Sequence, residues 1–309
     1  MRIKIILLCL LAHISWAQKT IGIVNISVAN IRTEAREGAE MSTQALLGTP
    51  VQLLEKAATK NWYRVQLPDH YQGWVEGSTI IRMDSAEFQA YRKSGTELII
   101  TAPFSKVYQF PSSKSEIISE LVQHNRLMAI RKKIGFWEIR MADGVIGYVS
   151  LKGAEQYSTW KQSNSGPTEN RILQSAHQLM GIPYLWGGTS IKGMDCSGFT
   201  KLVFQSNGWI IPRDASQQAR EGILVDSLRK WENLKPGDLL FFGEKRPDGT
   251  NKVVHVGLWE GRNAYIHAAD RTRRASVDSQ SKDFDAYNLN RYLFTKRINA
   301  ISKEVQKID

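Results

Sequence analysis

Cys196, His255 and His267 are the residues of this chain whose types and spacing best suit covalent chemistry. Cys196 sits in the run Gly193-Met194-Asp195-Cys196-Ser197-Gly198-Phe199. The other cysteine, Cys9, lies in an apolar N-terminal run. Export with removal of that run would leave Cys196 alone, without an internal disulfide partner. It is then a small buried hydrophobe, a link between two chains or a reactive thiol. A thiol attacks as thiolate, so its position must lower its pKa. Asp195 is a suitable helix N-cap, and Cys196 to Ser206 reads as a helix with Phe199, Leu202 and Val203 on its apolar face. Gly208 is a suitable stop. Cys196 then falls in the first turn, where the helix dipole favours negative charge and free N–H groups can hold an oxyanion. The polar flanks Asp195 and Ser197 argue against a merely buried cysteine.

A thiolate needs a base, and the base needs a group that orients it. Of the six histidines, His13 falls in the N-terminal run, His70 and His124 in the N-terminal half, and His177 on a predicted helix. His255 and His267 lie on two adjacent strand candidates, Val253 to Trp259 and Ala264 to Ala268. Joined by a three-residue loop, Glu260-Gly261-Arg262, these strands set Trp259 against Asn263 and His255 directly opposite His267. Both rings then share one face, with His255 as base and His267 as orienter. A metal site on Cys196, His255 and His267 is the competing chemistry. The close ligand pairs usual for zinc are missing, and no metal or cofactor is expected.

The elements that must position these groups can be read along the chain. The composition, 42% hydrophobic and 23% charged over 309 residues, is that of a globular protein with room for two or three domains. The formal charge of +11 comes from scattered Lys and Arg with no basic run. That disfavours nucleic acid and suits a basic surface or a carboxylate-bearing polymer. Arg2 and Lys4 precede the apolar run Ile5 to Ala12, and small and polar residues follow at Ser15, Ala17 and Gln18. This is the pattern of an export signal, 1–17, too short to span a bilayer. Cys9 sits inside the apolar run, which argues against a lipoprotein.

Two segments look like copies of one β-rich unit, 18–85 and 95–156. Each has an aromatic-rich strand followed by Gly-aromatic-Val: Asn61 to Val65 then Gly73-Trp74-Val75, and Phe136 to Arg140 then Gly147-Tyr148-Val149. Short alternating strands with polar turns suggest small barrels. Tyr157 to Asn170 is polar and reads as a linker. Beyond it, Ile172, Ala176, Leu179 and Met180 fall at helical spacing until Gly181-Ile182-Pro183. Strand candidates follow at Asp238 to Phe242, Lys252 to Glu260, Asn263 to Ala268 and Arg291 to Arg297. Helices on an antiparallel sheet make an α+β unit, 165–309.

The two β-rich units resemble bacterial SH3 domains, through Val28-Ala29-Asn30-Ile31-Arg32, Leu46-Leu47-Gly48, Trp62 to Val65 and Gly73 to Val75; the second copy lacks the Asn-Ile-Arg start. The C-terminal unit resembles the NlpC/P60 cysteine peptidases. The match rests on Tyr184 to Gly188, Asp195 to Phe199, Pro212-Arg213-Asp214, Gly237 to Phe242, His255-Val256-Gly257 and Tyr265 to Ala268. The resemblance implies a papain-like α+β catalytic domain preceded by two small all-β SH3-like barrels. It also implies a metal-free Cys196–His255–His267 triad. The layout is similar to the γ-D-glutamyl-L-diamino acid peptidases, which cut stem peptides of peptidoglycan and in better-known members require a free N-terminal L-Ala. That implies an amine pocket with Asp214 as acceptor, completed by Glu40 and Tyr71 and lined by Tyr184 and Trp186. Asp195, Ser197 and Ser216 join the substrate-binding set, although Ala215, rather than Ser, follows Asp214 here. The implied partners are stem peptides or muropeptides, without nucleic acid or membrane insertion, and the expected state is an exported monomer. Two other readings stay open: an amide- or acyl-transferring enzyme on the same scaffold, and a non-catalytic wall-binding protein.

Overall fold

A computed structural model describes residues 20–58, 60–299 and 305–307. The leader assigned to 1–17, with Cys9 and His13, lies outside the described residues. Among those described, no helix is long and apolar enough to cross a membrane.

The first unit is a seven-stranded antiparallel sheet running from Ile21–Val24 to Ile80–Met83, and the second runs from Thr96–Ile100 to Ala154–Gln156. Numbered within each unit, the strand order is 3-2-6-5-4-1-7 in both. The repeat read from the aromatic motifs is thus a repeat of topology, and it includes the copy without the Asn-Ile-Arg start. The Gly of each Gly-aromatic-Val motif has one physical reason. A Cβ on Gly73 would lie 2.5 Å from Ile31 Cγ2, and one on Gly147 would lie 2.4 Å from Val107 Cγ1. Each glycine lets its strand cross close over a branched core residue at the same place in the fold. Ile31, Tyr63, Val65 and Val75 are in one core, and Val107, Trp137, Ile139 and Val149 are in the other.

The polar segment after the second unit is more ordered than its composition suggests. Tyr157–Ser163 is a helix, with Tyr157 and Trp160 buried and their rings stacked at 5.8 Å. Ser and Gln lower apolar content, but these two aromatics, three residues apart, still supply one helical face that packs on Ile99. Linker character is confined to the short stretch before the next helix, Glu169–Gln178, which Thr168 caps.

The C-terminal unit carries the helix Cys196–Ser206 and a six-stranded antiparallel sheet. Its strand order is Ile223–Asp226, Tyr292–Arg297, Leu239–Lys245, Asn251–Gly261, Ala264–Ala268 and Thr272–Ser276. The four inner strands match the sequence expectation. The two edges were not anticipated: they are short, and Thr272-Arg273-Arg274-Ala275-Ser276 shows no clean apolar alternation. One sheet face packs Phe241, Val256, Leu258 and Ile266 against Phe199, Leu202 and Val203 of the helix. The other packs Leu240, Phe242, Trp259, Tyr265 and Tyr292 together.

Both β units hold the C-terminal unit, the first through the strand Thr189–Ser190 and the helix, the second through the helix. In the first, the Gln44 side chain accepts the Thr189 N–H at 3.0 Å and Asp69 pairs with Lys201 at 2.8 Å. In the second, His124 Nε2 lies 3.1 Å from Ser206 Oγ at the far end of the helix. His124 is 5% exposed and adopts φ +71°. Burial pushes its pKa down to about 4. A base whose folded pKa is lowered stabilises the protein above its unfolded pKa of about 6.5, and that share is lost as pH falls toward 4. His124→Asn tolerates the left-handed backbone and removes the titration. Its loss of unfolding free energy between pH 7 and pH 4, followed by urea denaturation, should be smaller than that of the parent by about 3 kcal/mol or less.

Candidate active site

Asp195 ends an extended segment and starts the helix by accepting the Gly198 N–H at 2.7 Å. The helix spans the predicted residues, and Cys196 is its first residue. Gly198 allows the chain to close here, because a Cβ would stand 2.0 Å from Gly188 O. The sulfur is buried, and the backbone N–H groups of Val256 and Ser197 near it favour its ionised form. Burial, helped by the nearby Asp195 carboxylate, nevertheless raises the thiol to about 11 against the pull of the two N–H groups and Arg213. At neutral pH the resting group is a thiol.

His255 precedes Val256, the residue whose N–H meets the sulfur. Its Nε2 lies 2.9 Å from His267 Nδ1, with the two rings at 83°. The histidines share a face, as the spacing required, but the expected register is wrong by two residues. Trp259 pairs with Tyr265, not Asn263, and Leu258 with Ile266. The loop is only Arg262-Asn263, both at positive φ (50° and 60°), as a type I′ turn requires, with a bulge between Trp259 and Gly261. A shift of two keeps every side chain on its own face, so the rings meet diagonally rather than directly across. Burial pushes His255 down to about 3 and His267 to about 4, with His267 and Arg291 adding to the first and Arg273 to the second. Both imidazoles rest neutral, which leaves them able to accept a proton.

Asp195 and Ser197 turn inward. Arg213, 2% exposed, donates to both Asp195 oxygens at 3.1 and 2.6 Å, to Ser197 Oγ at 2.9 Å and to Thr43 Oγ1 of the first unit at 3.1 Å. Asp195 also accepts the Gly187 N–H at 2.9 Å. With these partners the Asp195 and Ser197 side chains brace the helix start. Sequence reasoning named Arg213 only as part of Pro212-Arg213-Asp214 and missed the brace. Its partner Thr43 lies 170 residues away, and no local pattern marks such a pair.

Asp214 follows Arg213 at the start of the short helix Ala215–Gln218. Tyr71 Oη sits 3.3 Å from each of its carboxylate oxygens. Burial raises the Asp214 pKa against the pull of Arg213 and Tyr71, and burial with Asp214 pushes Tyr71 up to about 12. Glu40 accepts the Trp186 indole N–H at 2.6 Å, and both side chains are exposed. Tyr184 is half-buried beside Cys196, Asp195 and Arg213. The first unit therefore brings Glu40 and Tyr71 to Trp186 and Asp214, with Tyr184 nearby. Ser216 is exposed and Ala215 is buried in the core.

Residues 181–296 match the NlpC/P60 family model, and 31–80 match the bacterial dipeptidyl-peptidase SH3 domain. A γ-D-glutamyl-L-lysine dipeptidyl-peptidase of Bacillus subtilis is 30% identical over 236 residues, which cover 74% of this chain and 72% of that one. The chain belongs to the NlpC/P60 family. It is a cysteine peptidase with an N-terminal SH3-like region. A γ-D-glutamyl-L-lysine dipeptidyl-peptidase of Bacillus cereus is 28% identical over 246 residues, covering 77% of this chain and 70% of its own. The crystal structure of an NlpC/P60 family protein from Bacillus cereus superimposes with a TM-score of 0.73 at 22% identity, over 90% of this chain and 99% of the other, a likeness of fold.

Proposed function

We propose that this NlpC/P60 peptidase hydrolyses the γ-D-glutamyl-L-diamino acid bond of peptidoglycan stem peptides, on fragments with a free N-terminal L-Ala. Cys196 is the nucleophile, His255 the base and His267 its orienter. The observation that carries this reading is the juxtaposition of two arrangements. One is a thiol at a helix N-terminus that meets the backbone N–H of Val256, the residue after His255 of a bonded histidine pair. The other is the Tyr71–Asp214 carboxylate, next in the chain to Arg213, whose partner Asp195 precedes Cys196.

In the reaction His255 takes the thiol proton and the sulfur attacks the γ-carbonyl carbon of D-Glu. The carbonyl oxygen becomes an oxyanion that the N–H groups of the helix start can stabilise. Collapse breaks the C–N bond, and His255 returns the proton to the leaving amine. Water then attacks the thioester with His255 again as base, releasing the γ-carboxyl and restoring the thiol. Asp214, with Glu40 and Tyr71, receives the substrate ammonium, while Tyr184 and Trp186 wall the pocket. Ser216 is exposed and plays no part in this scheme. The leader read at 1–17 supports action outside the cytoplasm.

The test compares L-Ala-γ-D-Glu-L-Lys with its N-acetylated form. Cleavage of the free-amine peptide should exceed that of the acetylated one by about thirtyfold or more, the effect of breaking one half-buried charge pair. Asp214→Asn should bring the two rates together. Equal rates in the parent protein would refute the amine pocket and leave the peptidase intact. No release from either peptide would sink the substrate assignment.

A further inference from the structure

Behind the histidine pair stands a carboxylate. His267 is fully buried, and its Nε2 has no hydrogen-bond partner among the described residues. Asp285 Oδ2 lies 3.9 Å from that nitrogen. The Tyr265 hydroxyl and the Asn288 side-chain amide each donate to this Oδ2 at 2.7 Å, and the Asn288 N–H donates to Oδ1 at 3.1 Å. These donors hold Asp285 below its ordinary carboxylate range, so it is ionised at neutral pH. Its own N–H donates to Ser276 O at 2.9 Å, which ties it to the edge strand Thr272–Ser276.

We propose that Asp285 is a positioning residue that sets the direction of the proton relay through His267 and His255. This inference rests on the triad assignment above. The 2.9 Å contact between His255 Nε2 and His267 Nδ1 needs one donor and one acceptor. A proton on His267 Nδ1 would leave the Nε2 lone pair facing a carboxylate. It would also make His255 Nε2 the acceptor and put the His255 proton on Nδ1. That ring could not then take a proton from the thiol through Nδ1. A proton on His267 Nε2 instead turns an N–H dipole toward the carboxylate. His267 Nδ1 then accepts from His255 Nε2–H, and the His255 Nδ1 lone pair is left as the base. One fixed charge thus selects the tautomers of two rings in series. When His255 becomes imidazolium, the same charge stabilises it.

Other groups also face the pair. Arg273 acts on both rings and Arg291 on His255, both against protonation, while Asp270 favours protonation of His267. Phe242 and Tyr265 supply ring contacts.

The experiment is made on the full chain. Asp285→Asn keeps size and helix-capping ability but removes the charge. Its kcat should fall roughly ten- to a hundredfold with KM within about twofold, a smaller effect than the loss of a directly bonded triad carboxylate. The histidine-controlled limb of its pH–rate profile should move to lower pH. Asp285→Ser, which also caps, should lose a similar amount, and Asp285→Glu should recover part of it. In the parent protein, the nitrogen-15 shifts of His267 should report a proton on Nε2. Wild-type kcat and pH profile in folded Asp285→Asn or Asp285→Ser would overturn the proposal, as would a proton on His267 Nδ1 in the parent. Full activity in Cys196→Ala would instead remove the triad on which it rests.

Discussion

Cys196→Ala should reduce kcat by about four orders of magnitude or more while leaving peptide affinity within a few fold. The substitution removes only a sulfur from a site whose shape is fixed by other residues. The helix start stays capped by Asp195, and the His255–His267 contact involves neither sulfur nor helix. Cys196→Ser should be nearly as inactive, because a hydroxyl is much harder to ionise than even this raised thiol. Steady-state kinetics on the free-amine peptide, with calorimetric binding of the same peptide to the variant, separates the two quantities. Full activity in Cys196→Ala would mean that another group attacks.

Arg213→Met should destabilise the fold by about 3–5 kcal/mol, the range for removing one partner of a buried ion pair. Asp195 is 6% exposed, and its remaining partners are the N–H groups of Gly187 and Gly198 and the Ser197 hydroxyl. Its charge would stay buried without a counter-ion, and Thr43 would lose its contact across the junction. Asp195→Asn combined with Arg213→Met should recover part of the loss, since no uncompensated charge remains. Urea unfolding of the two single variants and the double variant measures this coupling. Additive losses would show that Arg213 stabilises by packing alone. Activity should fall with stability in Arg213→Met, because the same carboxylate starts the helix that carries Cys196.

The helix around Cys196 was legible because its signals are local: Asp195 at one end, Gly208 at the other and three apolar residues at helical spacing between. The duplicated β unit was legible because aromatic and glycine positions recur. The shared face of His255 and His267 survived an error in register because strand side chains alternate with a period of two. That error came from the turn. Arg262-Asn263 takes positive φ at both residues without the Asn-Gly or Asp-Gly signature that announces such turns. Arg213, Thr43 and Asp285 were not legible as a support system. Each acts through a partner distant in sequence, and a buried arginine looks like a surface one until its neighbours are placed.

Gly48 and His124 occupy the same turn in the two β units. Gly48 N–H bonds to Val24 O and His124 N–H to Ile100 O, at 2.9 and 2.8 Å, and both residues sit at positive φ. From the first unit, this turn docks onto the second: Arg126 N–H reaches Leu47 O at 2.9 Å, and any Cβ on Gly48 would strike Arg126 O at 2.2 Å. From the second unit, the same turn docks onto the peptidase unit through the imidazole of His124. A duplicated module has thus used one loop twice as a coupling, each time toward the next body in the chain. The residue at this one position matches the neighbour each unit meets: no side chain where backbone presses against it, and an imidazole where a helix end lies farther off. The two copies share a fold but have ceased to be interchangeable parts.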